Sequence, residues 1–570
     1  MRERLDRGLR LLSCVSLITL FGCAAVQAQE SLLAGTGEKA KPPYNIIFVI
    51  VDQRAYKLPT ASDYDLPGFE AIARHGVSFN NHYISTAMCS PSRASFYTGQ
   101  TPQVTGVIDQ MQYSFVQSLR PDMPNMGSVL KELGYKTAFF GKFEMDKDIL
   151  LQKPTVNYST AIQRYGFDEL SPRGDIGSDP RSGYFNDPYI AGESVTWLRT
   201  NVAEARQTGQ PFFMVASFVN PHDIMYGNGN VPGRPEVQIP ILPPALPPLP
   251  RMSLYQKKWS FELPPTLGEA LTAPGMPNAL LEYHKGWSGW SGDIPTDRKD
   301  MWTIFDNYYL NTIRDSDRSV KEIVDAVDEL DLWRDTVVVF TADHGEMMGS
   351  HGGLKGKGPF AYEENAHVPL IIADPDGKQG EACIALTSHL DLLPTFVGLT
   401  GLPADRRPPA VKALPGHDFS ALVAEPKKAT LTEVRPATLF NYVGPSTVDS
   451  GFLLSTITHL FHFEPTPPLT EAKLDRRGFL SFVFDGRYKF GRYYAPTAFN
   501  TPQTMEEIFA KNDVQLFDLQ ADPQEAHNLA LEPEKNRETI LRMNALLNEM
   551  IAKEVGPNDG RFLTQIMERR

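Results

Sequence analysis

The stretch Asn45-Ile-Ile-Phe-Val-Ile-Val51 constrains the fold more than any other part of the chain. It is apolar at odd and even positions alike, so a strand made from it must be covered on both faces. That is the signature of a parallel sheet wrapped by helices. Lys136–Phe140, Pro211–Phe218, Thr336–Thr341 and Val368–Ala373 repeat the pattern. Helical periodicity lies between them, at Leu66–His75, at Met126–Leu133 closed by Gly134, at Trp302–Asp328 and at Asp391–Leu399. Strands alternating with helices predict an α/β fold, a large mostly parallel sheet flanked by helices. The runs stop at polar groups: Asp52-Gln53, Lys142-Phe143-Glu144, Asn220-Pro221-His222 and Asp343-His344. Open α/β sheets bind ligands beyond the carboxyl ends of their strands, so chemistry is expected there.

Pro- and Arg-rich Pro403–Pro415 reads as a boundary. Beyond it, Phe479–Phe484 and Tyr488–Tyr494 read as a hairpin across Asp485-Gly486. Gln515–Leu519 and a helix from about Glu534 to Lys553 complete a smaller C-terminal α+β subdomain. The expected units are a catalytic domain over 44–415 and this subdomain over 430–570. Residues 223–298 are rich in Pro, Gly and Trp without periodicity, which suggests an insertion or lid. Its Trp287 and Trp290 either stack on a ring of the substrate or pack their own loop.

Arg2, Arg4, Arg7 and Arg10 precede the apolar run Leu11–Ala25, which is short for a membrane span. Residues 1–28 therefore read as a signal peptide cleaved after Ala28, and the product as exported, periplasmic or secreted. Leu20-Phe-Gly-Cys23 offers a rival, a lipoprotein box that would anchor the chain through Cys23. Removing residues 1–28 takes away four Arg and two acids, so the net charge of −13 becomes −15. An acidic exterior disfavours nucleic acid as a partner. Of four cysteines only Cys89 and Cys383 remain, too few for a disulfide scaffold. Cys383 sits in an apolar run and reads as a core thiol.

Cys89-Ser-Pro-Ser-Arg93-Ala-Ser-Phe-Tyr-Thr-Gly99 reads as a loop delivering Cys89 to a helix start, with Pro91 in the first turn. A helix N-terminus and the forked donors of Arg93 both suit a tetrahedral anion. Cys-x-Pro-Ser-Arg followed by Thr-Gly resembles the signature of the type I sulfatases, within the alkaline phosphatase-like superfamily. Further blocks extend the resemblance over residues 44–530. They include Gly134–Lys142, Gly349–Glu364, Ser388–Thr395 and Leu516–Leu529, the last two read as packing and turn elements.

The resemblance implies a sulfuric ester hydrolase of arylsulfatase type acting on a sulfated small molecule or carbohydrate. It implies that a maturation enzyme oxidises Cys89 to formylglycine, whose hydrate is the nucleophile. Asp52 and Asp343, with Gln53 and His344 beside them, are the expected metal ligands, together with residue 89. Two carboxylates and an amide oxygen suit Ca²⁺, while the nitrogen of His344 leaves room for Mn²⁺ or Mg²⁺. Lys142 matches the lysine that bridges nucleophile and sulfate, His222 the histidine at the leaving oxygen, and Lys357, rather than its neighbour Lys355, a second sulfate lysine. The chain departs from the family at Gln53, where an acid is usual, at His367, where Arg is usual, and at Glu144, where His is usual. Glu144 is either a base replacing that histidine or a surface carboxylate. The rivals are a phosphonate monoester or phosphodiester hydrolase using the same site, and a non-catalytic binding protein retaining the fold.

Overall fold

A computed structural model describes residues 43–59, 63–151, 155–171, 173–177, 179–227, 252–460 and 470–563. The leader with Cys23, and the Pro-rich part of the insertion over 239–250, lie outside the described residues.

Among the described residues eight strands form the main sheet: β1 (Asn45–Val51), β2 (Val77–Tyr83), β3 (Lys136–Gly141), β4 (Glu169–Leu170), β5 (Phe212–Ser217), β6 (Thr336–Ala342), β7 (Leu370–Ala373) and β8 (Glu381–Ser388). Their order is β4-β3-β5-β1-β6-β7-β2-β8. From β4 to β6 every neighbouring pair is parallel, with β1 flanked by β5 and β6. Only β7 runs against its neighbours. Four strands carrying the expected site residues are thus adjacent, and their carboxyl ends share one edge.

β1 shows why an unbroken apolar run was needed. Ile47, Val49 and Val51 enter one core, while Ile46, Phe48 and Ile50 enter another on the opposite face. Helices Pro67–His75, Ser182–Thr208 and Lys299–Glu329 pack on the first face. Helices Cys89–Thr98, Met126–Glu132 and Leu392–Leu399 cover the second. Truncating such a fully buried Ile to Ala costs about 2–5 kcal/mol. Cys383 is buried within β8 in the second core.

Four antiparallel strands follow, β9 (Thr438–Tyr442), β10 (Phe479–Phe484), β11 (Tyr488–Tyr494) and β12 (Asp513–Asp518), in the order β12-β11-β10-β9. Phe440, Leu480 and Phe482 face the main core, whereas Leu439, Val483 and Phe490 face helix Arg537–Glu554. The small sheet is therefore shared between the two units. Arg435 locks them further, with Nε and Nη2 on Asp391 at 2.8 and 2.5 Å and Nη1 on Glu554 at 2.7 Å.

Several elements escape the periodicity reading, β4, β8 and β9 among them, and three others are instructive. β2 reads Val-Ser-Phe-Asn-Asn-His-Tyr, with polar residues at four interior positions, and the 27-residue helix Ser182–Thr208 carries Pro188 inside it. The third, helix Asn278–Ser291, lies in the segment expected to be irregular. Trp287 on this helix is buried and stacked on Tyr283 at 5.3 Å, so it packs its own element. The side chain of Trp290 lies outside the described residues.

Candidate active site

The site forms where β1, β3, β5 and β6 end and helix Cys89–Thr98 begins. Close backbone approach makes this edge. Gly141 ends β3 at φ 103°, and a Cβ there would stand 2.0 Å from the Ser217 carbonyl oxygen. Only glycine lets the backbone pass so near, and Lys142 N then donates to that carbonyl at 2.9 Å. Gln53, Met88 and Glu144 also hold positive φ, at 68, 71 and 50°. Such conformations cost about 1–3 kcal/mol each and persist where surrounding structure over-determines them.

Arg93 organises the floor. Its Nε donates to Asp343 Oδ2 at 3.0 Å and its Nη2 to Asp52 Oδ2 at 3.1 Å. Nη1 reaches the Lys142 carbonyl at 2.7 Å and Ser217 Oγ at 2.8 Å. One guanidinium thus reads all four strand ends. Lys142 Nζ lies 2.5 Å from Asp52 Oδ2 and 3.3 Å from Glu144 Oε1. All these side chains are buried. Burial opposes the charge on Asp52, but the adjacent Lys142 and Arg93 outweigh it and hold its carboxyl well below the usual range. Burial, then the adjacent Asp52 charge, pushes Asp343 up to about 7.

Cys89 Sγ lies 3.3 Å from His344 Nε2 and 3.9 Å from Asp52 Oδ1. Asp52, Cys89, Asp343 and His344 each offer one ligand atom, all within 4.8 Å of one another. Burial, with Lys357 next, keeps His344 neutral, and its Nδ1 contacts the Gly345 carbonyl at 3.1 Å, leaving the Nε2 lone pair toward Cys89. Two carboxylates and a neutral imidazole in a buried pocket fit a divalent cation. Burial also pushes the Cys89 thiol up to about 12, so the unmodified side chain is a neutral thiol.

Gln53 takes a different place from the one its position suggested. Its Oε1 accepts from Lys357 Nζ at 2.7 Å and its Nε2 donates to Glu346 Oε2 at 2.5 Å. Its amide is engaged by these two side chains. Glu346, which sequence reading missed, also accepts from the backbone N–H groups of Met348 and Gly356 at 3.2 and 2.7 Å. It therefore pins the loop that carries Lys357. An acid three residues past Asp343 was the available signal. Lys355 turns elsewhere, to the Gly292 carbonyl at 2.7 Å.

Glu144 is buried inside the site, with Ser90 Oγ and Gln112 Nε2 each at 3.4 Å. The surface-carboxylate reading fails on that burial. Asp175, also missed, accepts from the backbone N–H groups of Phe143 and Glu144 at 2.7 and 2.8 Å and fixes this turn. His222 follows the cis Asn220–Pro221 bond, is buried, and has no hydrogen-bond partner at Nδ1 among the described residues. Burial, then Lys357 and Lys142, push its imidazole well below the usual histidine range. His367 lies outside this cluster. It stacks between Tyr56 and Tyr83 at 4.0 and 4.6 Å, with Nδ1 2.8 Å from Glu363.

A family model described as Sulfatase matches residues 44–402. The chain belongs to the sulfatase family. Membership makes it a sulfuric ester hydrolase, and the matched span covers every strand end described above. An "Ulvan-active sulfatase" of Formosa agariphila is 25% identical over 428 residues, covering 72% of this sulfatase and 71% of its own length. A structure solved with its substrate D-glucosamine-2-N,6-O-disulfate superposes with a TM-score of 0.63 at 18% identity, over 91% of this chain and 99% of that one. A phosphonate monoester hydrolase of Silicibacter pomeroyi superposes with a TM-score of 0.61 at 20% identity, over 90% and 96%. At those identities the two structural likenesses establish the fold.

Proposed function

We propose that this sulfatase hydrolyses a sulfate monoester of a small molecule or carbohydrate, using formylglycine made from Cys89 by a maturation enzyme. One observation carries the reading: the Cys89 side chain, Arg93, Lys142, Asp52, Asp343 and His344 meet at one buried edge. A thiol pushed up to about 12 is a poor nucleophile, which favours the oxidised residue over a thiolate mechanism. Asp52, Asp343, His344 and residue 89 would hold a divalent cation, Ca²⁺ by the carboxylate content, with Mn²⁺ or Mg²⁺ as rivals. When bound, the cation would lower the pKa of the hydrated aldehyde and offset charge on the sulfuryl oxygens.

The chain's own residues supply the remaining steps. One hydroxyl of residue 89, having given up its proton to solvent, attacks sulfur as the ester S–O bond breaks on the opposite side. Lys142 and Lys357 hold the sulfuryl oxygens, and Arg93 keeps the two carboxylates and Lys142 in register. His222 hands a proton to the departing alkoxide. Its imidazole is neutral beside two lysines, so the substrate's negative charge must arrive before it can carry that proton. Glu144, 3.3 Å from Lys142, then takes the proton of the second hydroxyl; the C–O bond breaks, sulfate leaves and the aldehyde returns.

The superposition with a phosphonate monoester hydrolase keeps one second reading, the same site acting on phosphonates or phosphodiesters. Export follows the leader's pattern, and no helix among the described residues is long and apolar enough to cross a membrane. The test is a mass spectrum of the residue-89 peptide from native-host protein, with parallel assays on aryl sulfate and aryl phosphonate. Aldehyde at residue 89, turnover of the sulfate and loss of turnover in Cys89→Ala are expected. An intact thiol in active enzyme, or an active Cys89→Ala, would overturn the mechanism.

A further inference from the structure

A second convergence of ligand atoms lies at the seam between the catalytic domain and the C-terminal subdomain. His351, Glu364 and Glu525 each offer one ligand atom, and these atoms all lie within 4.8 Å of one another. His351 Nε2 and Glu364 Oε2 are buried atoms without a hydrogen bond among the described residues, while Glu525 holds the Lys489 ammonium, 2.8 Å from its Oε1, and accepts from the Glu363 N–H at its Oε2 at 2.8 Å. His351 and Glu525 are 0% and 2% exposed, so water cannot serve those atoms freely.

The chemistry of this cluster is one-sided. Glu269 Oε2 lies 3.1 Å from His351 Nδ1, which assigns the ring proton to Nδ1 and leaves the Nε2 lone pair facing inward. That lone pair looks at a carboxylate oxygen of Glu364, 3.9 Å away, and at Glu525. Three acceptors therefore converge, with the Lys489 ammonium beside Glu525 and no donor on His351 Nε2 or Glu364 Oε2 among the described residues. Carboxylate to Nδ1–H, with Nε2 free, is the arrangement that orients histidine toward a metal. The surrounding charge points the same way. Glu363 and Glu525 share one ammonium, Lys489, which lies 2.7 Å from Glu363 Oε1 and 2.8 Å from Glu525 Oε1, while Glu269 and Glu364 lie beside His351. Burial, only partly offset by Lys489 and reinforced by Glu363 and Glu364, drives Glu525 up to about 7.

We propose that His351, Glu364 and Glu525 form a second divalent-cation site, separate from the Asp52–Asp343 edge. One imidazole and two carboxylates suit Zn²⁺ or Mn²⁺ better than an all-oxygen cage would. Bonds of about 2.0–2.2 Å place tetrahedral ligands roughly 3.5 Å apart, so the three atoms need close by only about 1 Å. The cation staples three segments remote in sequence. His351 precedes the Lys357 loop, Glu364 follows Tyr362, and Glu525 follows β12. It thereby ties the C-terminal subdomain to the loop that carries Lys357.

The alternative for the same geometry is a proton, an imidazolium bridging Glu269 and Glu364. Metal counting separates the two. Full-length protein, stripped with chelator, is titrated with Zn²⁺ and separately with Mn²⁺, and bound metal is counted by plasma mass spectrometry after desalting. Glu364→Gln keeps the shape of the side chain and removes its charge. Wild type is expected to hold one more equivalent of Zn²⁺ or Mn²⁺ than Glu364→Gln and than His351→Gln. Asp343→Asn, which disables the other site, should keep that equivalent, and the bound metal should raise its melting temperature. Equal stoichiometry in wild type and Glu364→Gln for both metals overturns the proposal, whatever His351→Gln does.

Discussion

Replacing His222 by Ala tests the proposed chemistry at its most discriminating point. The ring is buried, its Nδ1 bonds to nothing described, and Tyr226 stands 6.2 Å away between ring centroids. Removing it therefore breaks no hydrogen bond at Nδ1. A general acid contributes about 10²–10⁴ in rate, equivalent to about 3–5.5 kcal/mol of barrier. That contribution is needed only when the leaving group is a poor anion. A nitrophenolate departs without a proton, whereas a sugar or alkyl alkoxide does not. Steady-state kcat/KM is measured for wild type and His222→Ala across aryl and alkyl sulfates of graded leaving-group basicity. The variant should lose at most about tenfold on nitrophenyl sulfate and about 10²–10⁴-fold on the alkyl or sugar sulfate. Unchanged binding of sulfate as a product inhibitor would show that the lysines are still in place. A loss of equal size across the whole series would refute the role of His222.

Glu144→Gln should let the sulfated enzyme accumulate, visible as intact protein one sulfuryl group heavier; undiminished turnover without that species would remove Glu144 from the second step. Arg435→Met leaves Asp391 and Glu554 buried against each other and should cost about 3–5 kcal/mol in urea unfolding, a loss the double variant with Glu554→Gln partly restores. A midpoint shift worth under about 1 kcal/mol would show that the seam rests on the shared sheet alone. His389 is pushed down to about 3 by burial, so it is neutral when folded. The unfolded chain takes up its proton below about pH 6.5, and the stability is lost as pH falls from there toward 3. Near pH 5 the loss from this group is about 2 kcal/mol. Urea midpoints at pH 7.5 and 5 should therefore converge in His389→Phe, and an undiminished acid shift in that variant would assign the sensitivity elsewhere.

Unbroken apolar runs such as Asn45–Val51 determined the parallel sheet, because a strand apolar at both parities has no wet face to offer. The residue order after each run determined which groups stand at the strand ends, since the end of a strand is a local property. Cys89-x-Pro-Ser-Arg determined the family. What the sequence left open depended on partners far along the chain. Burial of Glu144 is set by Ser90, Gln112 and Asp175 from other elements. The place of Gln53 depends on Glu346 and Lys357, 293 and 304 residues away. β2 was illegible because its polar residues find partners on the neighbouring strand β8, Asn81 Nδ2 on the Ile384 carbonyl at 2.7 Å and His82 Nδ1 at 3.0 Å from Thr387 Oγ1, which local periodicity does not see. The pocket of His351, Glu364 and Glu525 arises only where two units meet, so no local pattern announces it. Side-chain charge and hydrophobicity are written residue by residue. Desolvation and pairing, which decide what a charge can do, exist only once distant segments close around it.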